Sequence, residues 1–322
     1  MIDPNNAASF EPYRHLGDIV SRQSAASPRH VPFFLRRFSR ASDSELALCD
    51  EFAGQIFKLA GDEIDAFFEG YDFICDILKQ EEIYFRRNNG YRLKTVRQAI
   101  EEVYSNTSYM QSYMRGLLMT QVFWSNHTAS MNFFIDEFLA RNPADIDLLE
   151  IGPGHGLLFS RAISDPRVRT TTGWDLSAAS IAETQDALRK LGVTRPYELE
   201  IRDMLRPPGA ARSFDAVVFS EVLEHLEQPA DALDAIATIM RPGGRLFINV
   251  PINSPAPDHI FLLRSPEEAI SLVKSRGFEI ERTGFFPATN YSLEAALHHK
   301  LTISVCIIAS KPDPAARADE RS

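Results

Sequence analysis

The sequence predicts an α/β fold with an all-α domain ahead of it, and three observations carry that prediction. From about Ser44 to Ala140 apolar residues recur every three or four positions, the spacing of amphipathic helices. After Asn142-Pro143 short β-rich runs alternate with amphipathic stretches, the pattern of a sheet covered by helices on both faces. The composition, 44% hydrophobic and 24% charged over 322 residues, belongs to a globular chain able to bury a sizeable core.

Residues 1–43 read as an N-terminal arm without a sustained period. Arg22, Arg29, Arg36, Arg37 and Arg40, with Arg14 upstream, run without an intervening acid after Arg22. Val31, Phe33, Phe34, Leu35 and Phe38 are too apolar for a free tail, so the arm is expected to dock, with a homodimer through the arm and helices as the sharper expectation. Residues 44–141 read as a helical cap or dimerisation domain. Leu46, Leu48, Phe52, Ile56 and Leu59 form a face that Gly61 ends, and Ile64, Phe67, Phe68, Tyr71, Ile74, Ile77 and Leu78 form the next. Asn88-Asn89-Gly90 marks a turn, and Val96–Tyr104, Ser108–Trp124 and Thr128–Leu139 supply three more helices.

Residues 142–311 hold the strand candidates Ile146–Ile151, Thr170–Trp174, Tyr197–Ile201, Ala216–Ser220, Arg245–Val250, Phe278–Arg282 and Leu301–Ala309. Residues 312–322 read as a flexible tail.

Charge and composition narrow the function classes. Thirty-four Lys and Arg against 44 Asp and Glu leave a net charge of −10, which disfavours a broad nucleic-acid face. Cys49, Cys75 and Cys306 lack metal-site or disulfide-framework spacing, so reduced thiols and no metal are expected. No apolar run reaches membrane-spanning length, and the polar start Met1-Ile2-Asp3-Pro4 lacks a signal-peptide core; a cytoplasmic location without a membrane partner is expected.

The strongest chemical signal is Asp147-Leu148-Leu149-Glu150-Ile151-Gly152-Pro153-Gly154-His155-Gly156, a buried strand running into three glycines before the apolar helix start Leu157-Leu158-Phe159. Glycines there permit a tight turn and bring a ligand close to backbone N–H groups. Asp175 lies 25 residues beyond Glu150 at the end of the second strand, where an acid can bind ribose hydroxyls. The third strand ends at Asp203 and Met204, and the fourth runs into Ser220 and Glu221.

This ordered set resembles the class I S-adenosylmethionine-dependent methyltransferases, over about Asp145 to Lys311. The loop is E-x-G-x-G-x-G, not the G-x-G-x-x-G of nicotinamide-binding domains. The resemblance implies a Rossmann-like seven-stranded sheet of order 3-2-1-4-5-7-6 and S-adenosyl-L-methionine as cofactor. It implies that Glu150, Gly152 and Gly154 border the methionine part, with Gly156 completing the loop. Asp175 would hold the ribose diol, with Leu176 against adenine; Asp203 would receive the adenine amino group, with Met204 on the ring; Ser220 and Glu221 would lie beneath the sulfonium. The Asn-Pro-Pro-Tyr signature of adenine and amide methyltransferases is absent, Ser220-Glu221-Val222-Leu223 standing in its place.

On the acceptor side, the proline-stiffened run Val250–Ile260 offers Asn253, Asp258 and His259. Tyr109 and Tyr113, four apart, share a helix face that would wall the pocket. The expected activity is bacterial-type methyl transfer to O, N or S of a small metabolite, with His259 first and His225 second as base. A thioether amino acid such as methionine is the alternative acceptor and needs no base. A non-catalytic cofactor-binding assembly partner is the reading from another class, and it predicts binding without turnover.

Overall fold

The computed structural model describes residues 2–207 and 213–314; Ala315–Ser322 of the expected tail lie outside the described residues. The helices are α1 Arg14–Ala26, α2 Val31–Phe38, α3 Asp43–Ala60, α4 Ile64–Asn88, α5 Val96–Ala99, α6 Thr107–Phe123, α7 Ser125–Phe133, α8 Leu157–Ser164, α9 Ala178–Leu191, α10 Pro229–Ile239, α11 Pro266–Ser275 and α12 Leu293–His299. No described helix is long and apolar enough to cross a membrane.

The chain divides into two units. The first gathers the residues up to Asn132 with Ser254–Ile260 and Phe286–Ser304; the second gathers Phe133–Asn253, Phe261–Phe285 and the residues from Val305 on. This differs from the contiguous division at 44–141 and 142–311 expected from sequence. Two segments beyond residue 142 pack with the helices, while Phe133–Arg141 pack with the sheet.

In the first unit local chemistry sets the helix ends. Ser42 Oγ accepts from Glu45 N–H at the start of α3, and Gly61 ends that helix at φ 54°. Asn89, in left-handed conformation, closes α4. A Thr95–Gln98 capping box opens α5, whose continuation Ile100–Tyr104 is π-helical.

The arm reading of residues 1–43 is corrected here. Much of that stretch is α1 and α2, with Leu16, Ile19, Val20, Phe34 and Phe38 buried in their own unit. The Phe34 ring lies 4.6 Å from that of Phe123. Two of the arginines bond within the unit as follows: Arg29 donates to Asp72 and Asp76, and buried Arg37 pairs with Glu45 at 2.8 Å. Apolar burial and charge pairing within one unit remove the reason the sequence offered for a dimer arm.

The strands are β1 Ile146–Ile151, β2 Val168–Asp175, β3 Glu198–Ile201, β4 Phe214–Ser220, β5 Met240–Ile252, β6 Glu279–Pro287 and β7 Ile303–Ser310, all in the second unit apart from the last two residues of β6 and the first two of β7. They form one seven-stranded sheet of order β3-β2-β1-β4-β5-β7-β6, as expected. β1 pairs in parallel with both β2 and β4. The sequence order reverses between β1 and β4, the switch point whose carboxyl-end crevice receives ligands in such sheets. Leu148, Leu149, Trp174, Val217, Phe219, Phe247 and Ile307 fill its core.

Candidate functional site

The parallel register brings the expected cofactor residues to one edge. Ile151 pairs with Trp174 and Phe219, Asp175 with Ile201, and Ser220 with Asn249, so four strand ends finish together. Gly152, Gly154 and Gly156 follow β1 at φ 71°, 51° and 77°, a succession that side chains with a Cβ rarely adopt. A Cβ on Gly152 would come within 2.8 Å of Val222 beyond β4, whereas one on Gly154 meets only the Gly152 carbonyl at 3.9 Å, leaving that side of the turn open. Thr184 Oγ1, from α9, donates to the Gly154 carbonyl at 2.7 Å and fastens the turn.

Glu150 precedes this turn. It is 3% exposed, and its Oε2 is buried without a hydrogen-bond partner. Desolvation raises its pKa well above the carboxylate range. Within the turn His155 Nδ1 accepts from Leu157 N–H at the start of α8, and desolvation lowers its pKa to about 4.

Asp175 is half-buried and already engaged, Oδ1 accepting from Ser177 N–H and Oδ2 from Ser180 Oγ–H. Each oxygen keeps a second lone pair. Beyond these strand ends Leu176, Ile201 and Leu205 are 68%, 63% and 48% exposed. Asp203 Oδ1 accepts from Leu205 N–H. Met204, expected against the adenine ring, is 7% exposed, while its neighbour Leu205 shows an apolar surface.

Glu221 sits at φ 54°, unusual for a residue with a Cβ. Asn249 of β5 holds it there: the Glu221 N–H donates to the Asn249 carbonyl, and Asn249 Nδ2 donates to Glu221 Oε1, both at 2.8 Å. His225 follows in a short 3-10 turn, its Nε2 3.8 Å from Glu224. Asn253, also left-handed at φ 46°, ends β5's excursion by donating from Nδ2 to the Arg264 carbonyl. Sequence reading passed over Thr184, Ile201, Leu205 and Asn249, which look like ordinary core or helix residues until their exposure and partners are known.

The acceptor-side candidates of the first unit form a second cluster. Asp258 and His259 are buried rather than displayed. Tyr104 O–H donates to Asp258 Oδ2 and Tyr113 O–H to Oδ1, each at 3.2 Å. Tyr109 stacks on Tyr113 with ring centres 6.2 Å apart. Burial first, then the Asp258 charge, raises Tyr113 far above the usual phenol range and Tyr109 to about 12, so both stay protonated donors. His259 Nδ1 lies 2.7 Å from the Ser254 carbonyl. Tyr91, not singled out from the sequence, lies edge-on to the His259 ring.

The model of a methyltransferase domain matches residues 123–298, more than half of the chain. Over 127 residues the chain is 30% identical to a ubiquinone biosynthesis O-methyltransferase of Marinobacter nauticus, taking in 39% of this chain and 52% of that one. Over 129 residues it is 32% identical to the protein of that name from Aeromonas salmonicida, taking in 39% and 51%. The chain thus spans about half the length of these curated relatives. Among solved structures, magnesium protoporphyrin IX methyltransferase from Synechocystis, with bound S-adenosylmethionine, aligns at TM-score 0.49 and 16% identity, over 69% of this chain and 100% of that one. With the switch-point sheet and its glycine turn in place, the match over residues 123–298 identifies the chain as a member of the methyltransferase-domain family, the S-adenosylmethionine-dependent methyltransferases of class I.

Proposed function

We propose that the chain transfers a methyl group from S-adenosylmethionine to a hydroxyl oxygen of a small molecule. The observation that carries the reading is Glu150, a buried carboxyl with an unpartnered oxygen beside a left-handed glycine turn. A buried acid without a partner is costly, and an ammonium group such as that of a methionine moiety would satisfy it. The other residues fit the rest of the cofactor: Gly152, Gly154 and Gly156 its backbone-lined turn, Asp175 a vicinal diol through its remaining lone pairs, Leu176, Ile201 and Leu205 a purine face, and Asp203 an exocyclic amine. Ser220 and Glu221 lie on the sulfonium side.

Bound S-adenosylmethionine supplies a methyl group on a positively charged sulfur that already reacts with nucleophiles. What remains for the protein is alignment, exclusion of water and removal of the hydroxyl proton. A carbonyl only accepts, so His259 donates from Nδ1 to Ser254, which leaves Nε2 as the nitrogen that would take the proton. His225 is the second candidate base. Tyr109 and Tyr113 would supply aromatic wall, with Asp258 anchoring Tyr113 and Asn253 shaping the loop. Oxygen as acceptor is supported by the O-methyltransferase names that the relatives carry.

The test is methyl-labelled S-adenosylmethionine offered with a pool of small phenols, hydroxy acids and thioether amino acids, products being identified by mass. An oxygen-methylated product is expected, at a rate that falls on the acid side as the base protonates. His259→Ala should lower kcat by about 10²–10⁴ and remove that limb. A sulfonium product with a flat pH profile would replace the oxygen reading by thioether methylation, and cofactor binding without any turnover would leave a binding protein.

A further inference from the structure

We infer that Tyr91 is a positioning residue that, through Ser254, fixes the tautomer and orientation of His259. This rests on the reading of His259 as the base, and its evidence lies wholly in the first unit. Tyr91 is buried just beyond the turn that ends α4. Its Oη accepts the Ser254 N–H at 3.0 Å. The carbonyl of the same Ser254 faces His259 Nδ1 at 2.7 Å. The Tyr91 and His259 rings meet edge to face, centres 5.7 Å apart and planes inclined by 67°, and Phe85 backs Tyr91 at 5.8 Å.

These contacts close a circuit: tyrosine oxygen to serine N–H, serine carbonyl to imidazole N–H, imidazole ring to tyrosine ring. Each tie limits a different freedom. The Ser254 N–H bond anchors the start of the segment, the carbonyl bond sets which ring nitrogen holds the proton, and the edge contact sets the ring plane. A histidine whose Nδ1–H is held by an oxygen acceptor presents Nε2 as the basic nitrogen, which is how orienting groups commonly prepare an imidazole. Pro255 and Pro257, on either side of buried Ala256, limit how far the segment between Ser254 and His259 can relax.

The experiment is nitrogen NMR of the full chain labelled with ¹⁵N-histidine, His259 being assigned by its loss in His259→Gln, together with amide exchange at Ser254. Wild type should show His259 as the Nδ1–H tautomer. Tyr91→Phe keeps the ring and loses the acceptor, so exchange of the Ser254 amide and of the His259 ring N–H should accelerate by about threefold to tenfold, the effect of one hydrogen bond. Tyr91→Leu, which also loses the ring contact, should accelerate both further; if it does not fold, the other two samples still decide. An Nε2–H tautomer in wild type, or unchanged His259 ring exchange in Tyr91→Phe, overturns the inference. Neither readout depends on turnover, so an expected tautomer in a protein whose His259→Gln variant methylates normally would sink the base and leave the positioning intact.

Discussion

Glu150 concentrates the energetic argument at the residue scale. Its pKa is raised by burial, so the folded state retains a proton that the unfolded chain releases near pH 4.3. Stability therefore falls as pH rises above that value, and at neutral pH the acid costs the fold rather than supporting it. Glu150→Gln should melt at the same or a higher temperature near pH 7, with a flatter pH dependence, while binding of S-adenosylmethionine by calorimetry weakens by about tenfold to a hundredfold. A stabilised variant with unchanged affinity would separate the acid from the cofactor. Glu150 was legible because its place before Gly-x-Gly-x-Gly is a local backbone pattern. Met204 and Leu205 are adjacent apolar residues, equivalent in sequence, and only packing turns one in and the other out.

At the scale of elements, α4 and α6 approach each other closely. A Cβ on Gly70 would stand 2.8 Å from the Ser112 carbonyl oxygen, and one on Gly116 would run into the carbonyl of Gly70. Alanine favours a helix over glycine by about 1 kcal/mol. Here the obstacle is backbone, which cannot swing aside, and overpacking of that kind costs about 1–3 kcal/mol. The clash wins, so Gly116→Ala should lower Tm by a few degrees, about 2–4 °C per kcal/mol, in a thermal melt. Helix periodicity predicted both helices, yet neither glycine announced a contact between them, because the close approach depends on how two distant segments cross.

Over the whole molecule, acid sensitivity should be governed by the amino-terminal end of the same strand that carries Glu150. Desolvation would raise Asp147, but hydrogen bonds from Arg169, Thr170 and Arg241 override it and hold the carboxyl at about 2. Arg241 also reaches Asp215, joining β1, β4 and β5. A lowered acid contributes stability that is present above the unfolded value of about 3.9 and is lost as pH falls from there towards 2. Asp147→Asn should lower Tm at neutral pH and flatten the decline between pH 4 and 2, the two proteins converging below that range. Identical acid limbs would show that the pairing, which is partly open to solvent, contributes nothing measurable.

The sequence by itself determined the features that a short stretch of chain must satisfy alone. Alternation marked the strands, left-handed backbone demanded Gly152, Gly154 and Gly156, and Ser42, Gly61 and Asn89 set helix ends. From these the family resemblance and the strand order followed. Tertiary structure alone decided which residues share surroundings. It folded the expected arm into α1 and α2, drew Ser254–Ile260 to the helical unit, buried Met204 while exposing Leu205, and set Tyr91 against Ser254 across 163 residues of chain. Backbone propensity acts between neighbours in sequence and leaves a local trace, whereas burial and side-chain partnership are properties of the collapsed chain, settled only when segments far apart compete for the same space.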